Sequence, residues 1–215
     1  RGFAIRSIDD SKAGVERFLK RNPSTSVVAE NEAGEEDEKI GFTSQSGKTA
    51  VFEIIKEAGY PITVQEAVRI TPVVKEASQR VGELPTRNII DIYFNEVFNV
   101  KGPFRLVSFT RESDTAYSLK FSYQQKEYEL LGNGNGPVAC CFDALKQAGF
   151  NYHLSHYEQV ALDEELMGSN AVAMSVMHFV LDNGRTIISR AKDESTSNAN
   201  VKAIFNGLNI ISSIE

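Results

Sequence analysis

The sequence has few of the residues that form disulfides or bind transition metals: two cysteines and three histidines among 215 residues. Cys140 and Cys141 are adjacent in a predicted helix, where neighbours point about 100° apart, so they cannot bond to one another. We therefore expect buried, reduced thiols in an intracellular protein. Because the histidines and cysteines show no metal-ligand spacing, we expect no metal and no other cofactor in this chain.

Long apolar segments and basic clusters are also missing. No apolar run approaches the roughly 20 residues of a membrane helix, and the first residues form no signal-peptide pattern. The pI of 5.3 and the scattered basic residues argue against a nucleic-acid partner. We therefore expect neither a membrane nor a nucleic-acid partner. The chain begins with Arg1 rather than methionine, as expected of a fragment or a processed product.

The excess of negative charge lies in one short segment. Residues 30–38 (ENEAGEEDE) contain six acids and no base, which accounts for the whole net charge of −6. Such a run is typical of a solvated linker, with an interaction tail as the alternative. We therefore predict a first region, residues 1–39, in which a helical segment capped by Asp9 or Asp10 precedes this linker.

Residues 40–101 have the apolar spacing of helices. Residues 49–58 predict a short amphipathic helix, and residues 65–81 predict a second helix that we expect to break near Pro72. A third helix is expected after Thr86 as its N-cap, because apolar residues follow at helical spacing. The segment therefore predicts a helical linker subdomain.

From residue 102 to residue 215 the apolar pattern changes to the alternation of strands. Three strands and a helix are followed by three more strands and a second helix. The predicted strands are 104–110, 116–123, 126–131, 152–160, 171–181 and 185–190, and the predicted helices are 138–148 and 200–208. Asp182-Asn183-Gly184 predicts a tight hairpin turn in the second unit. The predicted fold class is α+β: a helical linker subdomain followed by two β-β-β-α units.

A glycine-asparagine loop, residues 132–136 (GNGNG), lies between the third strand and the helix of the first unit. Both residue types tolerate positive φ, and Pro137 is well placed as the first helical residue. The free amides of that first turn form a small positive pole that suits a carboxylate or phosphate. The residues alone leave two interpretations open: a ligand site, or a tight turn without a ligand.

The remaining candidates for chemistry give little support for catalysis. His153 and His156 are three residues apart on a predicted strand, which places them on opposite faces and excludes a shared metal. Cys140 near a helix start is a candidate for a lowered pKa, although its place on an apolar helix face favours a structural role. No nucleophile and base are recognisable, so the residues favour a binding or assembly module over an enzyme.

Several motifs, in this order, resemble the long-chain form of 2-isopropylmalate synthases. Residues 43–48 (TSQSGK) resemble the NSQSGK stretch of that family, and residues 132–139 (GNGNGPVA) resemble its G-x-GNGP loop. Residues 168–171 (GSNA) resemble its G-x-[DN]-A motif. The match continues at Tyr157-Glu158 and, in the last helix, at Ala203 and Asn209. Order and spacing agree from about residue 40 to residue 212.

The resemblance implies a pseudo-twofold regulatory domain that forms a homodimer and binds leucine as a feedback inhibitor. The leucine-binding residues that it implies by position are Gly134, Gly136, Pro137, Val138, Ala139, His156, Tyr157, Val160, Asn170, Ala171 and Ala173. Nothing in the chain resembles the family's catalytic barrel, so we expect its divalent metal, and its condensation of acetyl-CoA with a 2-keto acid, in a part absent here. The resemblance also implies a location in the cytoplasm or in an organelle matrix.

We therefore expect the regulatory region of a 2-isopropylmalate synthase-like enzyme of leucine biosynthesis, with a branched-chain amino acid as effector. One alternative is a stand-alone or repurposed dimerisation or scaffold module of the same fold, without catalysis. Another is the regulatory domain of a citramalate synthase, sensing isoleucine.

Overall fold

The computed structural model describes Phe42, residues 46–161 and residues 172–215. The chain divides between Glu96 and Val97 into two compact units. The predicted N-terminal helix, the acidic linker, and the motif residues 43–45 and 168–171 lie outside the described residues. The domain bounds expected from the sequence stay predictions.

The described residues of the first unit form helices α1 (Lys48–Glu57) and α2 (Val64–Val81) and most of α3 (Thr86–Phe98). A capping box begins α2: Glu66 N donates to Thr63 Oγ1 at 3.1 Å, and Thr63 N donates to Glu66 Oε1 at 2.9 Å. The three predicted helices are therefore confirmed. The expected N-cap of α3 is wrong by one position, because Thr86 is already helical and Ile89 N donates to Pro85 O at 3.3 Å.

The predicted break in α2 is wrong, because the helix continues through Pro72. Proline removes one backbone N–H donor and crowds the preceding turn. Thr71 Oγ1 donates to Ala67 O at 2.5 Å and so adds a bond beside the lost one. Ile70 and Val74 are fully buried on either side of Pro72. Burial of this apolar face therefore outweighs the local preference of proline to end a helix.

The second unit consists of two antiparallel three-stranded sheets and two helices. Its elements are β1 (Phe104–Ser113), β2 (Ala116–Tyr123), β3 (Lys126–Asn133), α4 (Pro137–Gln147), β4 (His153–Ala161), β5 (Ala173–Val180), β6 (Thr186–Asp193) and α5 (Thr196–Ser212). The sheet orders are β1-β2-β3 and β4-β5-β6. The α+β fold class and the repeated β-β-β-α order are thereby confirmed.

Two hairpin turns of the second unit contain residues with positive φ, and the residue types that adopt it differ. The predicted turn at Asp182-Asn183-Gly184 is confirmed: Leu181 N donates to Arg185 O at 2.8 Å, and Gly184 has a φ of +79°. Between β2 and β3, Gln124 and Gln125 have φ values of +47° and +73°. Positive φ at both central residues suits the twist of a two-residue hairpin, even where glutamine rather than glycine must adopt it.

One hydrophobic core joins both sheets and both helices of the second unit. Helix α5 packs on β5 and β6 and also contacts β1 and α4. Almost every residue from Ala199 to Ile211 is therefore buried. Gly207 permits the close approach of α5 to β5, because a Cβ there would lie 2.1 Å from the ring of Phe179. Among the helices that the structure describes, none has the length and apolar character needed to cross a membrane.

Candidate functional site

The glycine-asparagine loop packs tightly against the helix that follows it. A Cβ on Gly132 would lie 1.8 Å from the carbonyl oxygen of Cys140, and a Cβ on Gly134 would lie 2.8 Å from the Cβ of Ala139. Gly134 N donates to Thr115 O at 3.0 Å, which ties the loop to the turn between β1 and β2. These two glycines are therefore required for close packing, whether or not a ligand binds.

The first turn of α4 exposes unpaired amides, as the sequence predicts. Gly136 is the N-cap with a φ of +101°, Pro137 is the first helical residue, and no side chain caps the helix. The first helical amides have no acceptor within a helix, so the N–H groups of Val138 and Ala139 point out of its end. Val138 is half-buried and Ala139 is exposed. Because these amides donate to no capping side chain, this end of α4 can donate hydrogen bonds to an anion.

Polar contacts on the outer side of α4 hold the end of β3. Asn133 N donates to Asp143 Oδ2 at 2.8 Å, and Gln147 Nε2 donates to Leu131 O at 2.9 Å. Cys140 and Cys141 are both buried and free, as expected. Burial, followed by the charge of Asp143, raises the pKa of Cys140. This direction agrees with the structural role that the sequence favours for Cys140, because the apolar surroundings and the nearby carboxylate outweigh the helix start.

The expected ligand residues of the second unit lie on two different faces of its sheet. Tyr157 pairs with Met177, and Ala173 lies on the same side of β5 as Met177, the side that faces α5. His156 and Val160 lie on the opposite face, because side chains alternate along a strand. Tyr157 is 47% exposed. The structure therefore groups Tyr157 with Ala173, and Asn170 and Ala171 lie outside the described residues.

A buried polar cluster that the sequence analysis missed lies beside these residues. Ser175 Oγ donates to Asn200 Oδ1 at 2.6 Å, and Gln159 Nε2 donates to the same oxygen at 3.1 Å. The cluster joins β4, β5 and the start of α5. A serine and an asparagine inside apolar stretches are the only sequence signal for it, since buried polar groups need partners.

Two asparagines of α5 hold the segment between α3 and β1. Asn206 Nδ2 donates to Phe98 O at 3.0 Å and to Arg190 O at 2.8 Å, while Val100 N donates to Asn206 Oδ1 at 3.1 Å. Asn209 Nδ2 donates to the carbonyl oxygens of Val100 and Phe104 at 3.1 and 2.9 Å, and Phe104 N donates to Asn209 Oδ1 at 2.9 Å. The segment 98–104 is therefore fixed to the last helix of the second unit.

The prediction that His153 and His156 lie on opposite faces is wrong. A β-bulge between Leu154 and His156 inserts one extra residue, so His153 pairs with Val180 and His156 pairs with His178. Both partners lie on one face of β5. The rings of His156 and His178 stack with centroids 3.8 Å apart. Burial, then His156, lowers the pKa of His178.

A separate open cleft of about 240 Å³ lies at the N-terminal end of β4. The start of β4, the β5–β6 turn and the residues Ile214 and Glu215 line it. None of the expected ligand residues contributes to this cleft.

Two β-β-β-α units around one core define this region as a duplicated α+β domain. The sequence model described as the LeuA allosteric (dimerisation) domain matches residues 83–212. Because the match covers more than half of the chain, this chain belongs to the LeuA allosteric (dimerisation) domain family.

Curated proteins resemble most of this chain. A 2-isopropylmalate synthase of Syntrophus aciditrophicus is 22% identical over 197 residues, which is 89% of this chain and 37% of that protein. A 2-isopropylmalate synthase of Corynebacterium glutamicum (strain R) is 26% identical over 79% of this chain and 28% of that protein. A candidate (R)-citramalate synthase of Methanosarcina acetivorans is 26% identical over 80% of this chain and 36% of that protein. The chain thus spans about a third of the length of these relatives.

Proposed function

We propose that this chain is the linker and regulatory region of a 2-isopropylmalate synthase-like enzyme and that it binds a branched-chain amino acid. The observation that carries the proposal is the uncapped first turn of α4, which follows Gly136 inside a domain of the LeuA allosteric family. The acyl transfer that condenses acetyl-CoA with a 2-keto acid, and the metal that assists it, belong to the unmatched part of such an enzyme.

The amides of Val138 and Ala139 suit the carboxylate of an amino acid, because helix N-termini favour negative charge. The small side chain of Ala139 leaves this end of the helix open. In the second unit, Tyr157 and Ala173 are the expected residues on the α5-facing side of the sheet. We propose that these two residues, rather than His156 or Val160 on the opposite face, contribute to the same effector site.

We further propose that the domain forms a homodimer and that effector binding is passed to the parent enzyme through the segment before β1. A ligand changes activity only if it favours one arrangement of this segment over another. The bonds from Asn206 and Asn209 to residues 98–104 support this role, because they couple α5 to the end of α3. Sedimentation equilibrium of the full chain, with and without effector, measures the dimerisation.

Calorimetric titration with leucine, isoleucine and valine tests the effector site. The informative variant is Ala139→Glu, which places a carboxylate at the helix start. This charge favours the helix by about 0.3–1 kcal/mol, yet it repels the carboxylate of the effector. We expect at least about a tenfold loss of affinity, or about 1.4 kcal/mol. Lys146→Gln is the matched control, since it changes the net charge equally at the exposed last turn of the same helix.

The outcomes separate the candidate functions. Preferred leucine binding that Ala139→Glu abolishes supports the proposal, and equal binding by both variants contradicts the assigned site. Preferred isoleucine binding favours a citramalate synthase regulatory domain, which the Methanosarcina relative makes a specific alternative. No heat with any of the three at millimolar ligand, together with a stable dimer, favours the scaffold module.

A further inference from the structure

We propose that His156, Glu158 and His178 form a binding site for a divalent transition metal ion of the zinc type on the face of the second sheet that is opposite α5. These three side chains are the group among the described residues whose ligand atoms all lie within 4.8 Å of one another. The proposal is independent of the proposed effector site, because the three side chains lie on the sheet face opposite Tyr157.

The pairing of β4 and β5 brings the three residues together. His156 and His178 are direct cross-strand partners, and Glu158 lies two positions after His156, on the same face. The bulge after Leu154 sets this register. Sequence spacing alone therefore could not reveal the cluster, because one ligand comes from another strand.

The nitrogen–oxygen distances suit a tetrahedral ion better than direct hydrogen bonds, although the exposed ring of His156 must rotate out of its stack on His178 before both Nε2 lone pairs face one ion. Each of the two histidine Nε2 atoms lies 3.4 Å from Glu158 Oε1. Good N–H···O bonds are about 2.7–3.2 Å long. Zinc–nitrogen and zinc–oxygen bonds of about 2.0–2.2 Å at a tetrahedral angle place two ligand atoms about 3.3 Å apart. The Nε2 of His178 is also buried without a hydrogen-bond partner in the structure.

A neighbouring serine orients His156 as a metal ligand. Ser155 Oγ donates its hydrogen to His178 O at 3.3 Å and lies 3.1 Å from His156 Nδ1. When the hydroxyl hydrogen is used in the bond to His178 O, Nδ1 of His156 carries a hydrogen and donates it to Oγ, and this tautomer leaves Nε2 free to bind a metal. In that tautomer the Nε2 that carries the lone pair lies 3.4 Å from Glu158 Oε1. Two acceptors at this distance repel one another unless a metal cation or a proton lies between them. Second-sphere bonds such as that of Nδ1 are the rule for metal-binding histidines.

The surroundings permit a metal ion to enter and to keep a solvent ligand. The side chains of His156 and Glu158 are 55% and 57% exposed, whereas that of His178 is 20% exposed. The positive charge of the nearby Arg190 repels a metal ion, and the negative carboxylate of Glu158 compensates for this repulsion. Three protein ligands and one water complete a four-coordinate site.

Titration of the metal-free, untagged full chain with zinc chloride tests the site, and cobalt(II) absorption in the visible region reports tetrahedral geometry. We expect one ion per chain. His156→Gln and Glu158→Gln are expected to weaken binding by at least about tenfold, since loss even of an orienting neighbour costs about 10–100-fold. His153→Gln is the matched control, because it changes an exposed histidine on the same face of the same strand and is expected to retain full affinity.

His178→Gln completes the series, with circular dichroism to confirm its fold. If the substitution at the half-buried His178 impairs folding, the variants at the exposed positions His156 and Glu158 decide whether the metal site exists. A cobalt spectrum without tetrahedral bands, an absence of stoichiometric zinc binding, or equal losses in His153→Gln and His156→Gln would each overturn the assignment. In those cases a proton shared between His156 and Glu158 accounts for the geometry.

Discussion

Replacing Asn209 by alanine tests whether α5 holds the segment that leads into β1. The change removes three hydrogen bonds, to Val100 O, to Phe104 O and from Phe104 N. The two bonds to Phe104 are buried, so its N–H and C=O groups lose their partners without gaining water. Each such orphaned group costs about 1–3 kcal/mol, and the less buried bond adds about 1 kcal/mol.

We therefore expect Asn209→Ala to lower the free energy of unfolding by about 3–7 kcal/mol. This is a large share of the roughly 5–15 kcal/mol that stabilises an ordinary domain. Urea unfolding followed by circular dichroism measures the loss as a lower midpoint at an unchanged slope. Amide hydrogen exchange at Phe104 reports the same bond locally, and we expect its protection to fall in the variant.

Asn198→Ala is the matched control, because it makes the same substitution at an exposed position in the first turn of the same helix. We expect this control to change the stability by less than about 1 kcal/mol. An equal effect of the two variants, or unchanged exchange at Phe104 in Asn209→Ala, would refute the role of Asn209 in holding this segment.

Three further predictions follow from single positions. Gly132→Ala should destabilise the second unit by at least about 2 kcal/mol in urea unfolding, because its Cβ would overlap the carbonyl oxygen of Cys140; an unchanged midpoint would contradict the close packing. Pro72→Ala should stabilise the first unit by up to about 3 kcal/mol, since the continuous α2 regains a backbone donor at an exposed position; thermal unfolding measures this, and a loss of stability would contradict it. Burial opposes ionisation of Asp193, but bonds from Lys202 and the Ser195 amide outweigh it and lower its pKa. This ion pair is partly exposed, so it contributes less than about 1 kcal/mol of stability. The contribution is present above the unfolded pKa near 3.8 and is lost as the pH falls through the folded pKa. Asp193→Asn should therefore flatten the curve of stability against pH between pH 5 and pH 2, and an unchanged slope would exclude this ion pair as a source of acid sensitivity.

Local patterns were sufficient to predict most elements of the fold. The alternation in β2 and the turn at Asp182-Asn183-Gly184 were correct, because each depends on neighbours in sequence. The ends of α5 were missed by four residues on each side. Amphipathic spacing identifies a helix with one apolar face, whereas α5 is buried on nearly all sides and carries buried asparagines that a sequence pattern assigns to solvent.

The candidate site also has one part that was predictable from the sequence and one part that was not. The loop before α4, with Gly136 as N-cap and Pro137 in the first turn, was predictable because both residues act through their own backbone geometry. The grouping of Tyr157 with Ala173, and of His156 with His178, was not predictable, because it depends on the pairing of β4 with β5 and on one bulge. A single inserted residue reverses the face of every side chain before it.

The sequence by itself determined the order of two β-β-β-α units, the bent loop with its open helix start, and the motifs that resemble the 2-isopropylmalate synthases. Only the tertiary structure decided that α2 passes through Pro72, that Asn206 and Asn209 hold the segment before β1, and that two histidines and a glutamate meet on one sheet face. The physical reason is the range of the interactions. Turn geometry and helix starts depend on adjacent residues, whereas buried hydrogen bonds and cross-strand clusters depend on partners far away in the chain.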